Sequence, residues 1–242
     1  MKALFANNTN DTNNEKDWLF THIEGQNDFM KAKGVLGSQG AEDLIEPTNR
    51  FVREGVRRKA FGHILTTGDY HVEEEYLACT YSPEGATYPH HCGPGTWGFE
   101  YAIDFPAKGP MRTQLWKKDT SMWHNSATIN GKPANVEARF PKQKWKIVMG
   151  GVCTDICVEL AFEQFLVRGY EVVILTDLVK GYQKEIAQVV AEGGVIPGGY
   201  QKYIATGQLR LMTSEQFIAE NAKVAEAGNA KVGAIRDARA GR

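Results

Sequence analysis

The stretch that decides the fold reads KWKIVMGGVCTDICVELAFEQFLVRGYEVVILT over residues 144–176. Its first apolar run predicts a strand over 144–149, and a glycine-rich turn then leads into a helix over 154–168. A second apolar run predicts another strand over 171–176. Two apolar strands joined by a helix are typical of parallel strands in a sheet that helices cover on both faces.

The same alternation continues on both sides of this unit. Short apolar runs predict further strands over 17–24, 61–67, 111–116 and 208–213. Amphipathic periodicity predicts helices over 41–59 and 183–192. The fold class that follows is α/β, a three-layer α/β/α domain around a mostly parallel central sheet.

Three segments depart from this alternation. Residues 68–110 form a long stretch rich in Gly, Pro, Tyr and His, and a loop of that length in a compact domain is usually functional. The Asn-rich composition of residues 1–16 predicts a mobile segment, and the composition of residues 217–242 predicts a C-terminal helix and tail. The predicted domain therefore spans 17–216.

Composition narrows the protein class. The 242 residues carry a net charge of -1 and 42% hydrophobic residues, which is typical of a soluble globular protein and gives no electrostatic reason to expect nucleic acid or membrane partners. Four cysteines are too few for a disulfide framework in a chain of this length. Neither a secretion signal nor an apolar run of about 18 residues is recognisable, so a cytoplasmic location is expected.

A candidate nucleophile follows the central strand. Cys157 lies where the helix after strand 144–149 would begin, and the positive end of a helix dipole would lower the pKa of its thiol. The N–H groups of the preceding turn could receive an oxyanion beside the sulfur. Simple burial of an apolar-flanked cysteine is the competing interpretation.

Charged residues follow two other predicted strands. Glu24 ends the first strand, and ligands of open parallel sheets bind at such strand ends, so this carboxylate could act as a general base. Glu24 and Asp28 could instead cap the following loop or helix. Lys117, at another strand end, could stabilise a thiolate, or it could lie on a solvated surface beside Lys118.

The long loop contains a candidate metal site. Asp69 and His71 are two residues apart, so their side chains point the same way on an extended segment, and His91 could complete the set. Such ligands suit Zn, Fe or Mn with positions left open for water or substrate. A closed zinc site that includes Cys92, or no metal at all, are the alternatives.

With these residues identified, the sequence resembles the isochorismatase-like cysteine hydrolases, and among them the nicotinamidases. The resemblance covers residues 17–216 and rests on five motifs in the family's order: EGQNDF (24–29), TTGDYH (66–71), YPHHCGPGTWG (88–98), LWKKDTSMW (115–123) and GVCTDICV (151–158). It implies an α/β/α fold and hydrolysis of an amide through a cysteine thioester, with release of ammonia.

The resemblance also implies roles for individual residues. Cys157 would be the nucleophile, Lys117 the lysine of the catalytic triad, and the N–H groups of Cys153 and Cys157 the oxyanion hole, with the Val152–Cys153 peptide bond in the cis form. Glu24 would be the acid of the triad, although the family has an aspartate at this position, so the acid of this chain is longer by one methylene.

Further implications concern the metal and the substrate. Asp69, His71 and His91 would hold a divalent metal ion, Zn first and Fe or Mn as alternatives, and a fourth ligand would come from Glu73, Glu74 or Glu75. Phe29 and Tyr88 would pack against the ring of the substrate, with Trp97 and Trp123 as further candidates.

The activity implied is conversion of nicotinamide to nicotinate in NAD salvage. Another small-amide or ureido hydrolase of the family is the alternative, and a non-catalytic ligand-binding homologue is a weaker one. Because members of the family often form oligomers, a homo-oligomer is a further expectation.

Overall fold

The computed structural model describes residues 16–105, 111–194, 196 and 198–222. Most of the predicted mobile segment 1–16 and the predicted tail beyond residue 222 lie outside the described residues. Within them, the strands are β1 (Asp17–Ile23), β2 (His63–Asp69), β3 (Met111–Lys117), β4 (Thr128–Ile129), β5 (Lys132–Pro133), β6 (Trp145–Val152), β7 (Val172–Lys180) and β8 (Leu209–Met212). The helices are α1 (Asn27–Met30), α2 (Ile45–Arg58), α3 (Glu73–Leu77), α4 (Val136–Arg139), α5 (Cys157–Val167), α6 (Ile186–Glu192), α7 (Gln201–Ala205) and α8 (Ser214–Asn221).

The strands form one sheet in the order β5-β4-β3-β2-β1-β6-β7-β8. The six neighbouring strands β3-β2-β1-β6-β7-β8 are all parallel to one another. Strands β4 and β5 extend the sheet beyond β3 with antiparallel pairing. The predicted α/β fold with a mostly parallel sheet is therefore confirmed. The six predicted strands and the predicted helices over 41–59, 154–168 and 183–192 are present, with ends that differ from the prediction by a few residues. The helix predicted within 217–242 corresponds in part to α8, which begins earlier, at Ser214.

Helices cover both faces of the sheet. Adjacent residues of β1 point to opposite sides, so that Leu19 packs in a cluster with α5 and α6, and Phe20 packs in a second cluster with α2 and α8. The apolar strands are explained by this arrangement, because a sheet buried on both faces has no solvent side. The result is the predicted three-layer architecture.

The edge hairpin β4–β5 was not predicted. Its turn is Asn130–Gly131, and both residues have positive φ, as the tight turn of a two-residue hairpin requires. The Asn-Gly pair was a usable signal, but the two strands have only two residues each and carry no alternation.

Strand β6 runs three residues further than predicted, through Gly150, Gly151 and Val152. Gly151 has φ +122°, and a Cβ atom there would lie 2.0 Å from the carbonyl oxygen of Ile23 in the neighbouring strand. Only glycine allows β6 to remain paired with β1 up to the turn that follows. Helix α5 accordingly begins at Cys157, later than predicted.

The chain order places functional side chains at one edge of the sheet. The neighbouring strands β3, β2 and β1 end at or immediately before Lys117, Asp69 and Glu24, and β6 leads into Cys153. Strands β2 and β3 lie on one side of β1, and the later strands β6, β7 and β8 lie on the other side. Ligands bind where the strand order reverses in this way. None of the helices among the described residues is long and apolar enough to cross a membrane.

Candidate active site

Glu24, Lys117 and Cys157, here called the triad corner, meet at the ends of β1, β3 and the start of α5. The Lys117 ammonium lies 2.9 Å from Oε1 of Glu24 and 3.9 Å from Sγ of Cys157. Nζ of Lys117 also donates a hydrogen bond of 3.0 Å to the carbonyl oxygen of Thr120. Lys117 is buried, with 1% of its surface exposed, so the solvated-surface interpretation is wrong.

Glu24 adopts a backbone conformation with φ 51°, which is uncommon for a residue with a side chain. Thr67 of β2 contacts both the side chain and the backbone of Glu24. The Thr67 hydroxyl donates to Oε1 of Glu24 at 2.9 Å and accepts the Glu24 N–H at 3.3 Å. Oε2 of Glu24 has no hydrogen-bond partner among the described residues. The longer acid is therefore held on one oxygen, and the other oxygen is available to a reacting group.

The charges of the triad corner suit proton transfer near neutral pH. The pKa of Glu24 is raised to about 7, chiefly by burial and also by the charge of Asp69, while Lys117 opposes the rise. Burial would lower the pKa of Lys117, but Asp69, Cys157 and Glu24 together raise it well above its usual range. A carboxyl group whose pKa is close to the operating pH can both accept and return a proton.

The thiol of Cys157 differs from the expectation. It lies in the first turn of α5, as predicted, yet burial raises its pKa well above the usual value, with Lys117 opposing the rise and Glu24 adding to it. The removal of water from the sulfur outweighs the helix dipole, whose effect is typically below about 1 kcal/mol. Cys157 is consequently a neutral thiol that needs a base.

The turn before Cys157 presents free backbone donors. The Val152–Cys153 peptide bond is cis, as the family resemblance implied. The carbonyl of Cys153 accepts the N–H groups of Ile156 and Val158. The N–H groups of Cys153 and Cys157 make no hydrogen bond within the described part of the chain, so both can donate to an oxyanion.

Asp28 has a structural position. Its carboxylate accepts the N–H of Cys92 at 2.7 Å and the N–H of Val35 at 3.1 Å, and so ties α1 to two loops. This is the capping interpretation of Asp28, and it leaves Glu24 as the acid of the triad corner.

Asp69, His71, Glu84 and His91, here called the metal corner, form a buried group whose ligand atoms all lie within 4.8 Å of one another. Oδ2 of Asp69 lies 3.3 Å from Nε2 of His91 and 3.4 Å from Nε2 of His71. Oε2 of Glu84 lies 3.8 Å from Nε2 of His71, and Oε1 of Glu84 lies 3.9 Å from Nε2 of His91. Ligand atoms of a tetrahedral zinc site lie roughly 3.4 Å apart, so these spacings fit a metal ion.

The hydrogen bonding of the metal corner also fits a cation. Nδ1 of His91 donates to the carbonyl oxygen of Pro89 at 2.9 Å, which leaves the lone pair of Nε2 facing the Asp69 carboxylate. Nε2 of His71 and Oε2 of Glu84 have no hydrogen-bond partner among the described residues. Acceptor atoms that face one another in a buried space require a proton or a metal ion between them.

The pKa values of the metal corner are shifted by burial and by the charges of its own members. Burial raises the pKa of Glu84, and the charge of Asp69 raises it further. Burial would lower the pKa of His91, but the Asp69 carboxylate raises it overall. The pKa of Asp69 itself, which burial would raise, is held well below its usual range by Lys117 and the two histidines.

The predicted fourth ligand among Glu73, Glu74 and Glu75 is wrong, because the fourth residue of the group is Glu84. These residues lie on α3, largely exposed, and the Glu75 carboxylate forms an ion pair with Lys118 instead. Glu84 comes from a 3-10 turn (Pro83–Ala86) that Ser82 caps by accepting the Glu84 N–H at 3.2 Å. The Ser-Pro pair signalled the turn, but no spacing rule connected its glutamate with His71.

Neighbouring residues support the metal corner without joining it. Nε2 of His90 donates to the carbonyl oxygen of His71 at 2.8 Å, and so fixes the backbone of that residue. Cys92 is buried against Gly98 and is not part of the group, so the closed zinc site with Cys92 is wrong.

A cavity of about 60 Å³ joins the two corners. That volume accommodates on the order of five water molecules, or one small organic molecule. The lining includes Glu24 and Cys157 from one corner, and Asp69 and Glu84 from the other.

The aromatic residues suggested by the resemblance divide into two groups. Phe29 and Tyr88 line the cavity. Trp97, which lies under the ammonium of Lys33, and Trp123, which packs on Phe165, do not line it.

Gln26 is a positioning residue that the sequence alone did not single out. Its side-chain amide donates to the carbonyl oxygen of Asp69 at 2.9 Å, and its oxygen accepts the Asp69 N–H at 2.6 Å. The pair of bonds fixes the backbone of a metal-corner residue to the end of β1. Its place in EGQNDF, two residues after Glu24, was the available signal.

Comparisons with known structures agree with this fold. The pyrazinamidase of Pyrococcus horikoshii in complex with zinc superposes with a TM-score of 0.59 at 21% identity, over 81% of this chain and 99% of that one. PnC1 from L. infantum in complex with nicotinate gives a TM-score of 0.57 at 17% identity, over 84% and 95%. The N-carbamoylsarcosine amidase of Thermoplasma acidophilum gives 0.55 at 18% identity, over 82% and 97%. At these identities the likeness establishes the fold alone.

Sequence comparison supplies the family. A search of the curated proteins found no match. The model of the isochorismatase domain matches residues 19–192, which is most of the chain and contains both corners of the site. The protein therefore belongs to the isochorismatase domain family.

Proposed function

We propose that the protein is a metal-dependent nicotinamidase, an amidohydrolase that converts nicotinamide to nicotinate and ammonia. The observation that carries the proposal is the position of Lys117, whose ammonium lies 2.9 Å from both Glu24 and Asp69 and 3.9 Å from the Cys157 sulfur. One residue thus connects a cysteine–carboxylate pair with a group that fits a metal ion, on a single cavity.

The chemical steps use residues of the triad corner. Glu24, with a pKa raised to about 7 by burial, takes the proton of the neutral Cys157 thiol. The thiolate attacks the carboxamide carbon, and the N–H groups of Cys153 and Cys157 stabilise the negative charge on its oxygen. Protonated Glu24 returns the proton to the leaving nitrogen, so that ammonia departs and a thioester remains on Cys157.

Hydrolysis of the thioester completes the cycle. Glu24 accepts a proton from a water molecule as that water attacks the thioester carbon, and the thiol is then released with a proton from the same carboxyl group. Lys117 remains cationic throughout, because its neighbours hold its pKa well above the usual range. Its charge offsets that of Glu24 and of the thiolate.

The metal corner supports a preference for a pyridine amide. Asp69, His71, Glu84 and His91 would hold Zn, or Fe or Mn, since imidazole and carboxylate ligands suit all three ions. Bound there, the ion would supply a Lewis-acid contact for a ring nitrogen and so orient the amide toward Cys157. The similar structures with zinc and with nicotinate bound support this assignment, and the product would enter NAD salvage.

The direct test is ammonia release from nicotinamide by the purified protein. Activity should disappear after chelation, return with Zn, Fe or Mn, and be absent in Cys157→Ala. Cys79→Ala is the matched control, because Cys79 is a free thiol that does not line the cavity. Absence of turnover in every metal state, with the protein folded, would reject the proposal and direct the search to small carbamoyl and other linear amides, and then to a binding role without catalysis.

A further inference from the structure

Residues 181–185, here called the strap, follow β7 and reach the cavity. Tyr182 of the strap lines the cavity although 59% of its surface is exposed. Gly181 makes the strap compact, because a Cβ atom there would lie 2.0 Å from the carbonyl oxygen of Lys184. An exposed aromatic side chain at a cavity is available to a ligand, since no other part of the described chain covers it.

Asp155 holds the strap by its backbone. One carboxylate oxygen of Asp155 accepts the N–H of Tyr182 at 2.7 Å. The other accepts the N–H groups of Gln183 at 2.7 Å and Lys184 at 3.0 Å. Charge-assisted hydrogen bonds of this length are the stronger kind, and three of them fix three successive residues.

Thr154 adds two further contacts. Its N–H donates to the carbonyl oxygen of Lys180 at 2.9 Å, and its hydroxyl donates to the carbonyl oxygen of Lys184. Thr154 and Asp155 lie between Cys153 and Cys157, whose N–H groups form the proposed oxyanion hole. The turn that carries the reacting sulfur therefore also sets the position of Tyr182.

We infer that Tyr182 is a specificity-determining residue that packs on the ring of the bound amide, and that Asp155 is the positioning residue that keeps it there. The inference rests on the proposed function for the identity of the ring. An aromatic pair contributes about 0.5–1.5 kcal/mol beyond burial, which corresponds to a change in KM of about two- to thirteenfold. Because Asp155 already holds the strap in place, binding of the ligand does not incur the entropic cost of ordering this loop.

Steady-state kinetics of Tyr182 variants test the role of the ring. We expect Tyr182→Ala to raise KM for an aromatic amide by about two- to thirteenfold with kcat within about twofold, and Tyr182→Phe to keep the KM of the unaltered protein. An unchanged KM in Tyr182→Ala, or an equal rise for an aliphatic amide, would overturn this role.

Asp155→Asn tests the positioning role, with Asp177→Asn as its control. Asp177 also accepts a backbone N–H at 2.7 Å, from Ser214, but it does not line the cavity. We expect Asp155→Asn to raise KM as Tyr182→Ala does, the double variant to be no worse than either single variant, and Asp177→Asn to behave as the unaltered protein. Additive effects of Asp155→Asn and Tyr182→Ala would show that the two residues act separately.

Two measurements do not depend on any substrate. Amide hydrogen exchange at residues 182–184 and alkylation of Cys157 by iodoacetamide should both accelerate in Asp155→Asn and remain unchanged in Asp177→Asn. If neither accelerates, the inference is overturned whatever the enzyme hydrolyses. If both accelerate in a protein that releases no ammonia from nicotinamide, the proposed function fails and the positioning role of Asp155 stands.

Discussion

The triad corner and the metal corner share one cavity but balance their charges differently. In the triad corner, Lys117 supplies a cation that lies 2.9 Å from Glu24. The metal corner combines two carboxylates with two imidazoles, and one of these carboxylates, Asp69, lies 2.9 Å from the same lysine. The triad corner thus contains its own cation, whereas the metal corner is a group of ligand atoms that fits an added cation.

This difference separates two kinds of experiment. Substitutions in the triad corner should change the rate of the chemical step and leave metal affinity largely intact. Substitutions in the metal corner should change metal affinity first, and the rate through it. The Lys117 ammonium between Glu24 and Asp69 is the place where the two effects would mix.

The largest effect is expected at Glu24. Glu24→Gln keeps the shape of the side chain but cannot accept the proton of Cys157, so kcat for amide hydrolysis should fall by about 10²- to 10⁴-fold. Metal content of the purified variant, measured by elemental analysis, should remain that of the unaltered protein. Glu46→Gln is the control, since Glu46 is an exposed glutamate paired with Arg53.

A fall of less than about tenfold in Glu24→Gln would mean that another group takes the proton. Asp28 is then the carboxylate to examine, although its two hydrogen bonds to backbone N–H groups occupy it.

The next effect is expected at Glu84. Glu84→Gln removes one charged ligand from the metal corner, and metal affinity should fall by at least about 10- to 100-fold, the cost typical of altering even the outer partners of a metal site. Titration of the metal-free protein against a competing chelator measures this directly. Saturating Zn should raise the melting temperature of the unaltered protein more than that of the variant.

Glu75→Gln is the matched control for Glu84→Gln. It tests the position that the sequence suggested for the fourth ligand, and the structure places its carboxylate on Lys118. Equal metal affinities for Glu84→Gln and the unaltered protein, or a loss confined to Glu75→Gln, would contradict the four-residue metal corner.

The sequence predicted the triad corner better than the metal corner for a physical reason. Glu24, Lys117 and the turn before Cys157 follow buried strands, and the parallel order of β3, β2, β1 and β6 brings such ends to one edge. An apolar run marks each strand, so the residue that follows it can be located from the sequence.

The same reasoning from strand ends could not predict that Glu84 belongs to the metal corner or that the pKa of the Cys157 thiol is raised. Glu84 lies in a loop whose path depends on long-range contacts, such as the Tyr76 hydroxyl donating to the carbonyl oxygen of Tyr88 at 3.1 Å. The raised pKa of Cys157 comes from burial by residues distant in the chain, which a local helix-dipole argument does not include. Periodicity indicates which segments are buried, but it does not indicate which polar atoms they desolvate.

The smallest effect expected is a shift in pH dependence caused by Thr67. Its hydroxyl donates to the Glu24 carboxylate at 2.9 Å and so favours the charged form. Thr67→Val removes that hydrogen bond, and the pKa of Glu24, already raised to about 7 chiefly by burial, should rise further. Because deprotonated Glu24 is the active base, the rate increases as pH rises through this pKa, and the acid limb of kcat/KM should move to higher pH.

The shift should be visible as a pH-dependent loss. At pH values below the limb, Thr67→Val should be about tenfold slower than the unaltered protein, and well above it the two should converge, while Thr67→Ser should follow the unaltered profile. A metal ion beside Asp69 would offset part of the negative charge that raises the pKa of Glu24, so it would lower the limb in all three proteins and leave their differences. A loss of equal size at every pH would mean that Thr67 only places Glu24, through the 3.3 Å bond that its oxygen accepts from the Glu24 N–H, and does not set its charge.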